Sequence, residues 1–155
     1  MAGSDPVEER ITPEGEILLS HGASQVSLRF WPGVRYARVV GHLTRELAVA
    51  WLACQEGVLS SIEGMAPMDL YTDTLGMTSF DGVCHELFGE WHRAHRARIA
   101  EIVVLENSVF VKLGVRIATV ISGLESDLES RRGEFARRLQ ARTGDHGIEA
   151  LAASA

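Results

Sequence analysis

The chain has 155 residues, 46% of them hydrophobic and 23% charged, which suits one compact domain whose core needs neither metal nor disulfide to fold. Its net charge of −6 and pI near 5.5 exclude a nucleic-acid backbone as the main ligand, because such binding draws on clustered Lys and Arg. Cys54 and Cys84 lack Cys-x-x-Cys spacing and sit in apolar patterns, and no run reaches the roughly 18 apolar residues of a membrane span, so the expectation is a cytoplasmic protein with free buried thiols, no membrane partner and no cofactor.

Residues 1–24 are polar, acidic and loose in pattern, a leader with room for one short strand at 16–19. Residues 25–31 alternate, with Val26, Leu28 and Phe30 on one side and Gln25, Ser27 and Arg29 on the other, the period of a half-buried strand. Pro32 and Gly33 make a turn, and 34–43 alternate again, so the two strands predict an antiparallel hairpin. Thr44 can cap a helix from 45 to 60 or 61, with Glu46 in its first turn and an apolar stripe of Leu47, Trp51, Cys54 and Val58.

A third strand follows at 68–75, then a helix from 82 or 83 to about 97, an apolar strand at 101–105, and a helix at 108–121 capped by Ser108 and ended by Gly123. Crossovers of this length between buried strands imply parallel neighbours, with one antiparallel strand at the start. From Leu124 on, Leu124, Leu128, Phe135 and Leu139 recur at spacings of four, seven and four among charges, which predicts a C-terminal helix over 124–143 with a narrow apolar stripe. Residues 144–155 read as a frayed tail.

Asp73, Gly76, Met77, Phe80 and Asp81 fall on the positions of a strand, small-residue loop and helix start that resemble the signature of the STAS family, the fold of anti-anti-sigma factors. Gly41-His42-Leu43-Thr44 is similar to the Gly-x-Leu/Ile-Asp/Thr that ends that family's second strand, and 103–108 to its fourth strand entering the last core helix. The resemblance covers 25–123, with 124–139 as a degenerate fifth strand and terminal helix.

It implies an α/β fold with a mixed sheet of four to five strands, Val103 and Leu105 central and the helices mainly on one face. It also implies a non-catalytic regulatory or scaffold protein that binds a protein partner of kinase, sensor or scaffold type. Gly82, Val83 and Cys84 stand where the family has Ser, Ser and Gly, so the usual phosphoacceptor is absent, and Thr78 and Ser79 are the substitutes within reach. The expected contact surface is Asp81, Gly82, Val83, His85 and Glu86, with Asp81 capping the second helix. A homodimer is expected through an uncovered sheet face or the 124–139 helix. The alternative is a sensor that holds a small apolar ligand or a nucleotide between the third helix and the sheet.

Other chemistry is weaker. His85, His92 and His95 share one broad helix face, yet no HExxH or Cys pair accompanies them, and a solvated cluster explains them better than zinc. Cys84 and His85 with Asp81 have the residue types of a thiol nucleophile, but neighbours on a helix diverge by about 100° and do not face each other. Trp31 and Trp91 are candidate partner anchors if exposed.

Overall fold

The computed structural model describes residues 5–61 and 67–145. Residues 1–4 of the expected leader and 146–155 of the expected frayed tail lie outside it. Among the described residues no helix is long and apolar enough to cross a membrane.

Seven strands make one sheet in sequence order. β1 (Glu8–Ile11), β2 (Ile17–His21), β3 (Ser24–Trp31) and β4 (Val34–Leu43) form an antiparallel meander, while β4, β5 (Met68–Phe80), β6 (Ile99–Leu105) and β7 (Asp127–Glu129) run parallel. The crossovers carry α1 (Arg45–Ser61), α2 (Cys84–Ala94) and α3 (Val109–Ser122), and α4 (Arg132–Thr143) follows β7. Each crossover advances one strand in the same direction, and crossovers of one hand then lay their helices on one face of the sheet.

That first face is the larger core. Leu19, Val26, Leu28, Ala37 and Val39 of the sheet pack against Leu47, Ala48 and Trp51 of α1 and Cys84 of α2. Leu70, Ile102 and Val104 meet Leu59 of α1, Val111 of α3 and, half-buried, Trp91 of α2. The alternate residues of the same strands, Val34, Tyr36, Tyr71, Val103 and Leu105, point to the other face, where Phe135, Ala136 and Leu139 of α4 cover them. β4, β5 and β6 are therefore covered on both sides, which suits the apolar run that ends β6.

Two expectations are corrected here. The sheet has seven strands rather than four or five. β1 is exposed along its whole length, so nothing in its side chains marks it as a strand, and it holds its place through main-chain pairing with β2. The stretch 8–21 is thus part of the sheet rather than a loose leader, although the strand expected at 16–19 is present as β2. The second correction concerns 124–143, which is a short strand and then a helix, the arrangement that the family resemblance implied. Leu128 on β7 joins the first face with Leu124, whereas Phe135 and Leu139 join the second. One apparent stripe is shared between opposite sides of the sheet. The core sequence from β3 to α3 matches expectation in order and type, β6 lies inside the sheet between β5 and β7, and three of the four helices share one face.

α2 and α3 cross closely because Gly89 has no side chain. A Cβ built there would stand 2.8 Å from Ile121 Cβ and 3.2 Å from the Ala118 carbonyl oxygen of α3. Gly89→Ala should force the two helices apart and lower stability by about 1–3 kcal/mol, although alanine favours helix. Urea denaturation checks this, and an unchanged or higher midpoint would show that the helices have slack.

Candidate functional site

The site begins with the length of β5. Its first half pairs with β4 from Val34↔Asp69 to Arg38↔Asp73, the pairing resumes after a bulge at Val40↔Gly76, and a second shift between Gly41 and His42 sets His42↔Ser79 and Leu43↔Phe80. Gly76 permits the close approach, since a Cβ there would lie 3.1 Å from the Val39 carbonyl oxygen. The segment expected to be a loop after residue 75 is therefore strand up to Phe80, and Thr78 and Ser79 are exposed residues at the strand end.

This pairing joins three side chains that lie far apart in sequence. His42 Nδ1 is 2.6 Å from Ser79 Oγ, and His42 Nε2 donates to Asp81 Oδ1 at 2.8 Å. The other oxygen, Asp81 Oδ2, accepts the Arg45 N–H at 2.8 Å. Thr44 Oγ1 accepts the Leu47 N–H at 3.1 Å and lies 2.9 Å from His21 Nδ1. The start of α1 is thus capped twice, locally by Thr44 and from the end of the neighbouring strand β5 by Asp81. The Arg45 N–H foremost, and then His42, hold the Asp81 carboxyl below the usual carboxylate range.

The expectation that the Asp81 side chain caps α2 is overturned. Val83 occupies the cap position of α2 with helical backbone angles and no side-chain cap bond. Asp81 serves α2 only through its carbonyl, which accepts the Cys84 N–H at 2.9 Å. Its carboxylate is drawn instead to the N–H of Arg45, where the α1 dipole is also positive. Ser108 likewise precedes α3 without a side-chain cap bond, and its N–H goes to Glu106 Oε2 at 3.1 Å.

The remaining expected contact residues lie together on the first turn of α2. Gly82 and Glu86 are exposed, while Val83 and His85 are half-buried. Beside them Phe80 lies under Gly114 of α3, whose Cβ position is 3.1 Å from the ring. α3 then presents Val109, Phe110, Leu113 and Val120 to solvent, with 80%, 76%, 55% and 84% of their surface exposed. Sequence reasoning missed this apolar patch. Its only signal was a helix apolar on more of its circumference than one buried face needs.

The alternative chemistries resolve differently. Cys84 Sγ donates to the Leu43 carbonyl at 3.6 Å, and burial together with the Asp81 charge pushes its thiol up to about 11, so it stays protonated at neutral pH. Ser79, His42 and Asp81 do form a hydroxyl, imidazole and carboxylate chain in which the ring, steadied by Asp81, can accept the hydroxyl proton. His85, His92 and His95 do not converge. His95 is held by the Trp91 carbonyl at 2.8 Å and Glu56 at 2.6 Å and stacks on Trp91, and His92 turns toward the helix–sheet interior. Among the described residues no group of three or more His, Cys, Asp or Glu is placed to hold a metal ion. Trp91 is half-buried and donates to Glu56 at 3.0 Å, and Trp31 packs on the second-face core.

Asp81→Asn should weaken the α1 cap and lower stability by about 1 kcal/mol at neutral pH. The folded-state pKa of Asp81 lies below its unfolded value, so the wild-type advantage is complete above the ordinary carboxylate range. It fades as pH falls through the folded pKa. Paired denaturation curves at neutral and acid pH check this, and an advantage that grew toward acid would reverse the assignment.

No family model matches the sequence, and no curated protein matches it. Solved structures do share its fold. An uncharacterized protein of the DUF3478 family with a SpoIIAA-like fold, from Shewanella loihica PV-4, superposes with a TM-score of 0.54 at 13% identity, covering 75% of this chain and 93% of that one. The unphosphorylated anti-sigma factor antagonist SpoIIAA gives 0.55 at 11% identity over 74% and 97% of the two chains. An anti-sigma factor antagonist from Mycobacterium paratuberculosis gives 0.52 at 11% over 84% and 99%. The chain has the SpoIIAA-like fold of STAS domains, with a seven-stranded sheet among its described residues.

Proposed function

We propose that this protein is a non-catalytic, cytoplasmic regulatory module that binds a protein partner of kinase, sensor or scaffold type through the Asp81 corner, the first turn of α2 and the adjoining face of α3. The observation that carries the reading is the exposed apolar patch of Val109, Phe110, Leu113 and Val120 on α3, the helix that packs against α2 at Gly89 and over Phe80 at Gly114. Apolar side chains rimmed by polar groups are the composition of an interface core. The likeness to two anti-sigma factor antagonists supports the same class of action.

The module works without the usual phosphorylation switch, since Gly82 and Val83 carry no hydroxyl. A second reading is favoured by one contact. Ser79 is exposed and its hydroxyl is 2.6 Å from His42 Nδ1, so it is the better placed of the two substitute acceptors. A phosphate there would bring negative charge toward Asp81 and loosen the chain that caps α1. Mass spectrometry of protein isolated from its own cells would find that phosphate on Ser79 under this reading, and unmodified protein in every growth condition would remove it.

Val83→Glu places a charge in the contact surface without touching the α1 cap. Binding to a captured partner should fall at least about tenfold with the melting temperature unchanged. Equal affinity would move the function to another surface. A second copy of the chain is a competing occupant of the α3 patch, which it can cover in a symmetric dimer until the partner displaces it. Sedimentation of the wild type should show a dimer and of Phe110→Glu a monomer. A wild-type monomer at micromolar concentration would remove the dimer.

A further inference from the structure

Between the first face of the sheet and α1, α2 and α3 lies a cavity of about 120 Å³, partly open to solvent. Its walls are mostly apolar, with Leu70, Ile102, Val104, Val111 and Val115 among them. Arg35 of β4 is also on the wall, with 2% of its surface exposed. Its Nη1 donates to Gln55 Oε1 at 3.0 Å, its Nη2 donates to Thr72 Oγ1 at 2.7 Å and to the Tyr71 carbonyl at 3.3 Å, and the guanidinium lies 5.3 Å from the Trp51 ring centre. Every one of these partners is neutral. Nε of Arg35 and Nε2 of Gln55 are buried with no hydrogen-bond partner.

A buried guanidinium without a counter-ion is expensive to desolvate, and this protein pairs its other buried charges. On the opposite face Asp69 and Asp73 are equally buried, and each receives an arginine of α4, Arg142 and Arg132 respectively. Arg35 receives no carboxylate among the described residues. Burial alone lowers its pKa to about 9, and burial together with the Arg35 charge lowers that of His92, on the same wall, to about 3. Both shifts mark a pocket in which negative charge is missing.

We infer that this cavity binds a small organic acid, its carboxylate seated on Arg35 and Thr72 and its apolar body between Val104, Val111 and Val115. The charged end follows from the unpaired guanidinium, whose fork suits a carboxylate. The size class follows from the volume, which is of the order of the roughly 150 Å³ dry apolar cavity that accommodates benzene, and the opening to solvent leaves room for a substituent beyond the ring. The cavity is too small for a nucleotide, which needs a pocket of the order of 300 Å³ or more. The cavity backs onto the proposed protein-binding surface, since Cys84, His85 and Phe88 on its wall belong to α2, so an occupant bears on that helix from beneath.

Calorimetry and thermal melting with benzoate, acetate and benzyl alcohol test the inference on the full chain. Benzoate should bind at one site per chain at millimolar concentration or below and raise the melting temperature. Acetate, which lacks the body, and benzyl alcohol, which lacks the charge, should each bind at least about tenfold more weakly. Arg35→Met should lose the benzoate response while keeping a response to benzyl alcohol. Should that variant not fold, Val115→Phe fills the cavity from α3, leaves Arg35 in place and should lose benzoate binding by the same factor. Absence of benzoate binding, equal affinity for benzyl alcohol or acetate, or benzoate binding unchanged in Val115→Phe would each overturn the site.

Discussion

The parallel pairing of β4 with the long β5 is the constraint on which the rest of the molecule depends. It joins the antiparallel meander to the parallel half, and its register decides which side chains meet. Before the bulge it sets Arg35 beside Leu70 and so within reach of Thr72. After the bulge it sets His42 beside Ser79 and Leu43 beside Phe80. A slip of one residue would turn every alternate side chain to the wrong face. Two register shifts, one reaching Gly76 and one between Gly41 and His42, reset the phase between the two halves. The first half of the pairing thereby serves the interior, and the second half serves the surface corner at Asp81.

That corner ties together two elements that the chain visits far apart. Asp81 follows β5 and precedes α2, yet its carboxylate closes the start of α1 through the Arg45 N–H and steadies His42. Any force on the first turn of α2 acts directly on the residue that caps α1. α2 is in turn fixed against α3 at Gly89, where no side chain fits between the helices. The proposed contact surface is for this reason mounted on a rigid base, and its apolar part on α3 is carried by the same packed pair.

The two faces of the sheet treat buried charge in opposite ways. On the α4 side, Asp69 and Asp73 are buried carboxylates, and Arg142, Arg132 and Arg138 bring their guanidinium groups from α4 onto them and onto Glu101 and Asp127. α4 is held by these pairs as well as by Phe135 between Tyr36 and Tyr71. On the side of α1, α2 and α3, Arg35 meets only dipoles and an aromatic face. Neutral donors and acceptors soften the desolvation of a charge but leave its field in place, and that field is what an anionic ligand would meet in the cavity.

Much of the architecture is local and was legible in the residues themselves. The alternation of β3 and β4, the apolar run of β6, Thr44 before α1 and Gly123 after α3 each act over a few neighbours, and they led to the right elements in the right order. The elements that the local pattern does not show lack such signals. β1 has no buried side chain, and β7, which only the family resemblance implied, is three residues long with acids at both ends, so both are strands only because a neighbouring strand offers main-chain partners. The Asp81 region was identified from its resemblance to the STAS signature, but the direction of its carboxylate was not. Whether Asp81 caps α2 or α1 depends on which N–H groups lie near it in space, and Arg45 is brought there only by the β4–β5 register. His42 with Ser79, Arg35 without a counter-ion, and the bare apolar side of α3 are of the same kind. The sequence by itself determined propensity, period and the absence of a hydroxyl at Gly82 and Val83. The tertiary structure alone decided which distant groups touch and which are left without a partner, because hydrogen bonds and ion pairs act over a few ångströms of space however far apart their residues lie along the chain.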